Sequence, residues 1–173
     1  MTSYKDPSAG DGVSHLGSVR IWPERVGGPL LVRHAVVPNR QATETALRIE
    51  FLRSLRRSSE LCVALFDVRV GTDSDDGLHC ASDQLLVDIV KSVQHHKRGY
   101  DVLGRWGSNE FLLALPEANM FEARGVARRI HDAILREFPE ITVSFGISST
   151  ANVESLDRIL LQAARDQKDA APP

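Results

Sequence analysis

Residues 61–68 read LCVALFDV. A short apolar run of this length, rich in branched residues, reads as a strand buried at the centre of a sheet, ending at Asp67. A strand apolar on both faces needs helices above and below it, and the flanking segments supply them. From Gln41 to Arg57, the residues Ala46, Leu47, Ile49, Phe51, Leu52 and Leu55 recur at helical spacing beside several arginines, with Thr43 or Thr45 available near the start. Ser82–Gln94 opens with a Ser/Asp pair suited to capping and gathers Leu85, Leu86, Ile89, Val90 and Val93 on one face. Residues 100–106 and 110–115 flank Gly107-Ser108 as the arms of a β-hairpin. A helix rich in Ala and Arg over 118–137 stops before Pro139, a strand follows at 141–148, and a last helix spans 153–166. The order α-β-α-β-β-α-β-α implies an α/β sandwich with helices on a central sheet.

The chain has 173 residues, enough for one domain and an extension. A formal net charge of -2 offers no electrostatic reason to expect nucleic acid or an anionic membrane as partner. Cys62 and Cys80 have neither metal-type spacing nor a disulfide framework, so reduced thiols and a cytoplasmic setting are expected. No apolar run approaches membrane-spanning length, and the polar start MTSYKDPSAGDG lacks the apolar core of a signal peptide. Residues 1–33 read as a flexible arm, its VRIWPERVGGPLLVR stretch interrupted by Pro23, Gly27, Gly28 and Pro29. The Ile21-Trp22 pair in it suits docking onto the chain's own domain or onto a partner. Residues 169–173 form a tail.

The domain, over roughly residues 36 to 168, resembles the GGDEF family of bacterial diguanylate cyclases. Its signature hairpin, Gly-Gly-Asp/Glu-Glu-Phe, stands here as Arg105-Trp106-Gly107-Ser108-Asn109-Glu110-Phe111. Pro38-Asn39-Arg40 matches the start of the family's first helix, Phe66-Asp67 the end of its first strand, His79 and Asp83 its Gly-His-x-x-Gly-Asp, and Val143–Ile147 its late strand. The resemblance implies a palm-like fold shared with nucleotide cyclases, a central mostly antiparallel sheet flanked by helices.

Joining two GTP molecules into cyclic di-GMP requires clustered carboxylates for divalent metal and help in deprotonating a hydroxyl. The resemblance assigns these tasks to the first strand's Asp and to the third and fourth residues of the turn. Asp67 and Glu110 remain as residual metal candidates, but Asn109 is neutral and takes no proton at neutral pH. Ser108 replaces a glycine that admits close approach of a nucleotide. Arg69 stands for the second Asp of the strand motif, Thr72 and Ser74 fall near the family's Lys and Asn, and AARDQKDAA lacks a clear counterpart of its late lysine. No catalytic residue is therefore assigned in Gly107–Phe111, and Mg²⁺ is required only if residual GTP binding occurs.

Just upstream stands Arg98-x-x-Asp101, which resembles the family's inhibitory site for cyclic di-GMP. A guanidinium presents two parallel donors to guanine O6 and N7 or bridges to phosphate, and a carboxylate accepts from guanine N1–H and the amine. Arg129, and Arg128 beside it, fall near the arginine that completes this site in the family. A ligand bound as a stacked pair of molecules would link two copies of the chain. His95 and His96 read as a polar helix end and His79 as a turn or packing residue. The sequence thus points to an inactive receptor that binds cyclic di-GMP and signals through a protein partner, with the arm available for that contact. A weak cyclase inhibited by its product and a nucleotide-independent scaffold stand as alternatives.

Overall fold

The computed structural model describes residues 37–71, 79–153 and 155–169. The arm expected over 1–33, Thr72, Ser74 and residues 170–173 lie outside the described residues, as do the side chains of His79 and Cys80. In chain order the elements are α1 (Arg40–Arg57), β1 (Leu61–Val70), β2 (His79–Cys80), α2 (Asp83–His96), β3 (Val102–Arg105), β4 (Glu110–Pro116), α3 (Met120–Glu137), β5 (Ile141–Ser149) and α4 (Leu156–Asp169).

The apolar run is the central strand. β1 pairs antiparallel with β4 along one edge, from Leu61 opposite Pro116 to Asp67 opposite Glu110, and with β5 along the other, from Cys62 opposite Ser149 to Val70 opposite Ile141. β3 adds antiparallel to β4, giving the order β5-β1-β4-β3. The two-residue β2, not foreseen from sequence, pairs with Arg69 and Val70 beyond the end of β4. Alternation then decides which residue faces which layer. Cys62, Ala64, Phe66 and Val68 join Phe111 and Leu113 against Ile89, Val90, Ile130 and Ile134 of α2 and α3. Leu61, Val63 and Leu65 join Leu112 and Ala114 against Leu47 of α1 and Ile159 and Ala163 of α4. Phe66 stacks between Phe111 and Phe145, with centroids 5.2 Å and 5.0 Å away, and each such pair adds roughly 0.5–1.5 kcal/mol beyond burial.

Helix ends follow local hydrogen-bond demand, and two differ from the sequence reading. Asn39, rather than Thr43 or Thr45, caps α1, its Oδ1 accepting the Ala42 N–H at 2.9 Å. Both threonines lie inside the helix and donate back to the carbonyls of Asn39 and Gln41. The last helix starts at Leu156, because Thr150–Asn152 forms a 3₁₀ turn closed on Ser149. Ser82 caps α2 as read, and Asn119 with Glu122 forms a capping box before α3.

α4 lies so tightly on β5 that a Cβ on Gly146 would run into the Ala163 carbonyl and the Gln167 backbone. Gly146→Ala is therefore expected to lower unfolding free energy by about 3 kcal/mol in urea denaturation, the upper end of overpacking costs. Gly125, in the interior of α3 with open space around it, should behave oppositely, Gly125→Ala gaining roughly 0.5–1 kcal/mol from helix propensity.

Candidate functional site

Two polar assemblies flank the β3–β4 hairpin. The first is the turn itself. The Glu110 carbonyl accepts from the amides of Trp106 at 2.8 Å and Gly107 at 3.0 Å, closing the loop over residues 107–109. Arg105 ties the turn from below, donating from Nε to the Gly107 carbonyl at 3.1 Å and from Nη2 to the Ser108 carbonyl at 2.7 Å. Ser108 is exposed, Asn109 is buried with its carbonyl accepting the Val68 N–H at 3.1 Å, and Phe111 is wholly in the core. A Cβ on Gly107 would sit 2.8 Å from Glu110 Oε2 and 3.2 Å from its Cβ, a crowding that the flexible carboxylate end can largely relieve.

Register sets Asp67 directly across from Glu110. Two residues on, and therefore on the same face of β1, Arg69 donates from Nε to Asp67 Oδ2 at 2.6 Å. Two carboxylates at this spacing could share a cation; a carboxylate and a guanidinium satisfy each other instead. The Asp67 side chain is 13% exposed and that of Arg69 54%, so the cation of the pair is open to solvent screening. With Asp67 paired to Arg69 and Asn109 uncharged, the donors at this turn among the described residues do not fit a divalent cation. Among the described residues no group of three or more His, Cys, Asp or Glu side chains could hold a metal ion.

The second assembly is the turn from α2 into β3. Asp101 Oδ2 accepts the Arg98 backbone N–H at 2.6 Å, while the Asp101 N–H returns to the Arg98 carbonyl at 3.1 Å. Lys97 Nζ bridges the carbonyls of Arg98 at 3.1 Å and Asp101 at 2.9 Å. Asp101 is 5% exposed, and its Oδ1 is buried with no hydrogen-bond partner among the described residues. Burial raises its carboxyl pKa above the usual value, against the Arg98 amide and the positive charges of Lys97, Arg98 and Arg129. Burial likewise holds the Lys97 ammonium below its ordinary value, with the Asp101 charge opposing.

The side chains of this turn sit at different depths. Arg98 is exposed, donating from Nη1 to the Tyr100 hydroxyl at 3.0 Å. Arg129 reaches from α3 to the last turn of α2, where its Nη2 donates to the His96 carbonyl at 2.8 Å, a cation at a helix C-terminus. Arg128 is exposed on α3. The fold therefore gathers Arg98, Asp101 and Arg129, and the sequence reading missed Lys97 and Tyr100. Lys97 follows directly on the polar helix end of His95 and His96, whose Nδ1 atoms are bonded to the carbonyls of Lys91 and Ser92. Its spacing to Arg98 gives no hint that its ammonium turns back over the loop.

Residues 35–170 match the family model described as "Diguanylate cyclase, GGDEF domain". The diguanylate cyclase DgcP of Pseudomonas aeruginosa is 29% identical over 148 residues, which cover 77% of this chain and 22% of that protein. The probable diguanylate cyclase DgcE of Escherichia coli is 35% identical over 98 residues, 56% of this chain and 9% of that one. The chain thus spans about a fifth or less of these two relatives. Among solved structures, the diguanylate cyclase SiaD in complex with its activator SiaC, from Pseudomonas aeruginosa, is similar at a TM-score of 0.66 and 29% identity, over 77% of this chain and 54% of that one. The GGDEF domain of DgcB from Caulobacter crescentus in complex with c-di-GMP shares the fold, with a TM-score of 0.66 and 17% identity over 84% and 90% of the two chains. With the family model covering most of its length and the antiparallel sheet, hairpin turn and flanking helices in place, this chain belongs to the GGDEF, diguanylate cyclase domain family.

Proposed function

We propose that this GGDEF domain is a catalytically inactive receptor for cyclic di-GMP, binding it at the turn over Lys97–Asp101 and passing the signal on through protein contact. The observation that carries the reading is the buried, unpartnered Asp101 Oδ1 beside the charges of Lys97, Arg98 and Arg129. A carboxylate oxygen buried without a donor costs stability in the free protein, and guanine N1–H and its amine are donors of the right kind. Arg98 supplies the complementary fork for guanine O6 and N7 or for phosphate. Arg129, or Arg128 next to it, supplies further positive charge, in the same copy or in a second one across a stacked ligand. Support for the ligand class comes from the family: the related DgcB domain is in complex with c-di-GMP. Support for a protein partner comes from SiaD, which is in complex with an activator. In this reading the N-terminal arm is available to a partner, and no metal cofactor is needed.

The loss of cyclase chemistry follows from Arg69, whose guanidinium already occupies Asp67, and from Asn109, which supplies neither charge nor a base. Incubation with GTP and Mg²⁺ is expected to yield no cyclic di-GMP; steady product formation would replace this reading by that of a weak cyclase. Arg69→Asp combined with Asn109→Asp should restore divalent-cation binding, read as sensitised terbium luminescence absent from the wild type.

In calorimetry, Arg98→Ala is expected to weaken cyclic di-GMP binding by about 1–3 kcal/mol, roughly 5- to 150-fold, the value of a bidentate contact to guanine. A titration with no binding by the wild type, or one indifferent to Arg98→Ala, would overturn the receptor. Because burial raises the Asp101 pKa, affinity should fall on acidification from a pH above the ordinary Asp range of about 3.9, and Asp101→Asn should abolish that dependence. The same shift means that the folded chain retains a proton at Asp101 that the unfolded chain releases. Stability associated with protonated Asp101 is present at low pH and is lost as pH rises through the raised value.

A further inference from the structure

We propose that Tyr100 is a positioning residue that gives the Arg98–Asp101 site its preference for guanine, acting through the Arg98 guanidinium. The inference rests on the reading of that site as one for cyclic di-GMP and adds the residue that sets base specificity. The backbone of the turn is pinned four times, by Asp101 on the Arg98 amide, by the Asp101 amide on the Arg98 carbonyl and by Lys97 on two carbonyls. The part that must read a base, the guanidinium, is the exposed end of a long side chain. A long arginine side chain carries considerable rotamer entropy, which a ligand must otherwise remove.

Only Tyr100 holds that end among the described residues. Arg98 Nη1 donates to the Tyr100 hydroxyl at 3.0 Å, and the guanidinium carbon lies 5.8 Å from the ring centroid. Tyr100 itself is 58% exposed, so its ring has no core duty. Engaging Nη1 leaves the Nε–Nη2 edge of the fork, two parallel donors in a fixed plane. Guanine offers two acceptors to that edge, O6 and N7, whereas adenine offers N7 beside a donor amine. A fork held in orientation separates the two bases. A loose one contributes mainly positive charge, which the phosphates of either cyclic dinucleotide accept equally.

The test uses Tyr100→Phe, which keeps the ring and removes the hydroxyl at an exposed position. Displacement of a fluorescent cyclic di-GMP by unlabelled cyclic di-GMP and by cyclic di-AMP, the latter taken to millimolar concentration, reads both affinities. The variant is expected to lose roughly 5- to 10-fold in cyclic di-GMP affinity, the worth of one hydrogen bond, with cyclic di-AMP unchanged, so that the guanine preference shrinks by the same factor. Equal weakening toward both ligands, unchanged affinity for cyclic di-GMP, or a ratio of the two affinities no smaller than in the wild type would overturn the inference. If Arg98→Ala abolishes binding while Tyr100→Phe does nothing, this inference alone fails. A wild type that binds no cyclic di-GMP removes the site reading and this inference together.

Discussion

β1 is hydrogen-bonded along both edges and buried on both faces, and the placing of the 107–110 turn depends on where it ends. Its pairing with β4 carries Glu110 to Asp67 and hangs the 107–109 turn over the end of the strand. Its pairing with β5 brings Phe145 against Phe66 and seats α4 over Gly146. Because side chains alternate with a period of two, a one-residue slip in either register would exchange the two cores and turn Asp67 away from the hairpin. The register is fixed by burial on both faces, so the hairpin's geometry outlasts changes in its chemistry.

That separation of frame from chemistry explains how the turn survives with altered residues. Phe111 stands where the core requires an apolar ring. The positions that differ, Ser108 and Asn109, are an exposed tip and a residue whose backbone carbonyl does the structural work. Arg69 also departs from the family motif, and strand geometry delivers it onto Asp67, the one carboxylate of β1. The turn at Lys97–Asp101 is the opposite case. Its charges are retained, partly desolvated and arranged about one carboxylate, where electrostatic interactions act in a lower dielectric than at an open surface.

Much of this was legible in the sequence, because periodicity reports burial directly. The LCVALFDV strand, the faces of α2 and α3 and the hairpin around Gly107-Ser108 follow from spacing. The apolar face expected for α1 does not, since Ile49, Leu52 and Leu55 lie exposed and Leu47 alone of that set is fully buried. Helix starts were less legible: Asn39 prevails over two threonines only because Pro38 and Asn39 set where the helix begins. β2 was invisible, a two-residue strand that exists only through its neighbour. In the site, Arg98, Asp101 and Arg129 could be named only through the resemblance to the family's inhibitory site. The roles of Lys97, Tyr100 and Arg69 could not, since each depends on a side chain turning toward a group that only the folded chain brings near.

The central claim is that ligand recognition resides in the turn over 97–101 and no longer in the turn over 107–110. Titrating the ¹⁵N-labelled protein with cyclic di-GMP and following backbone amide shifts tests this directly. The expected result is a set of large shifts at Lys97, Arg98, Gly99, Tyr100, Asp101 and Arg129, with Gly107, Ser108, Asn109 and Glu110 unmoved. Shifts concentrated at Gly107–Glu110 with the 97–101 turn silent, or no shifts at all, would contradict it.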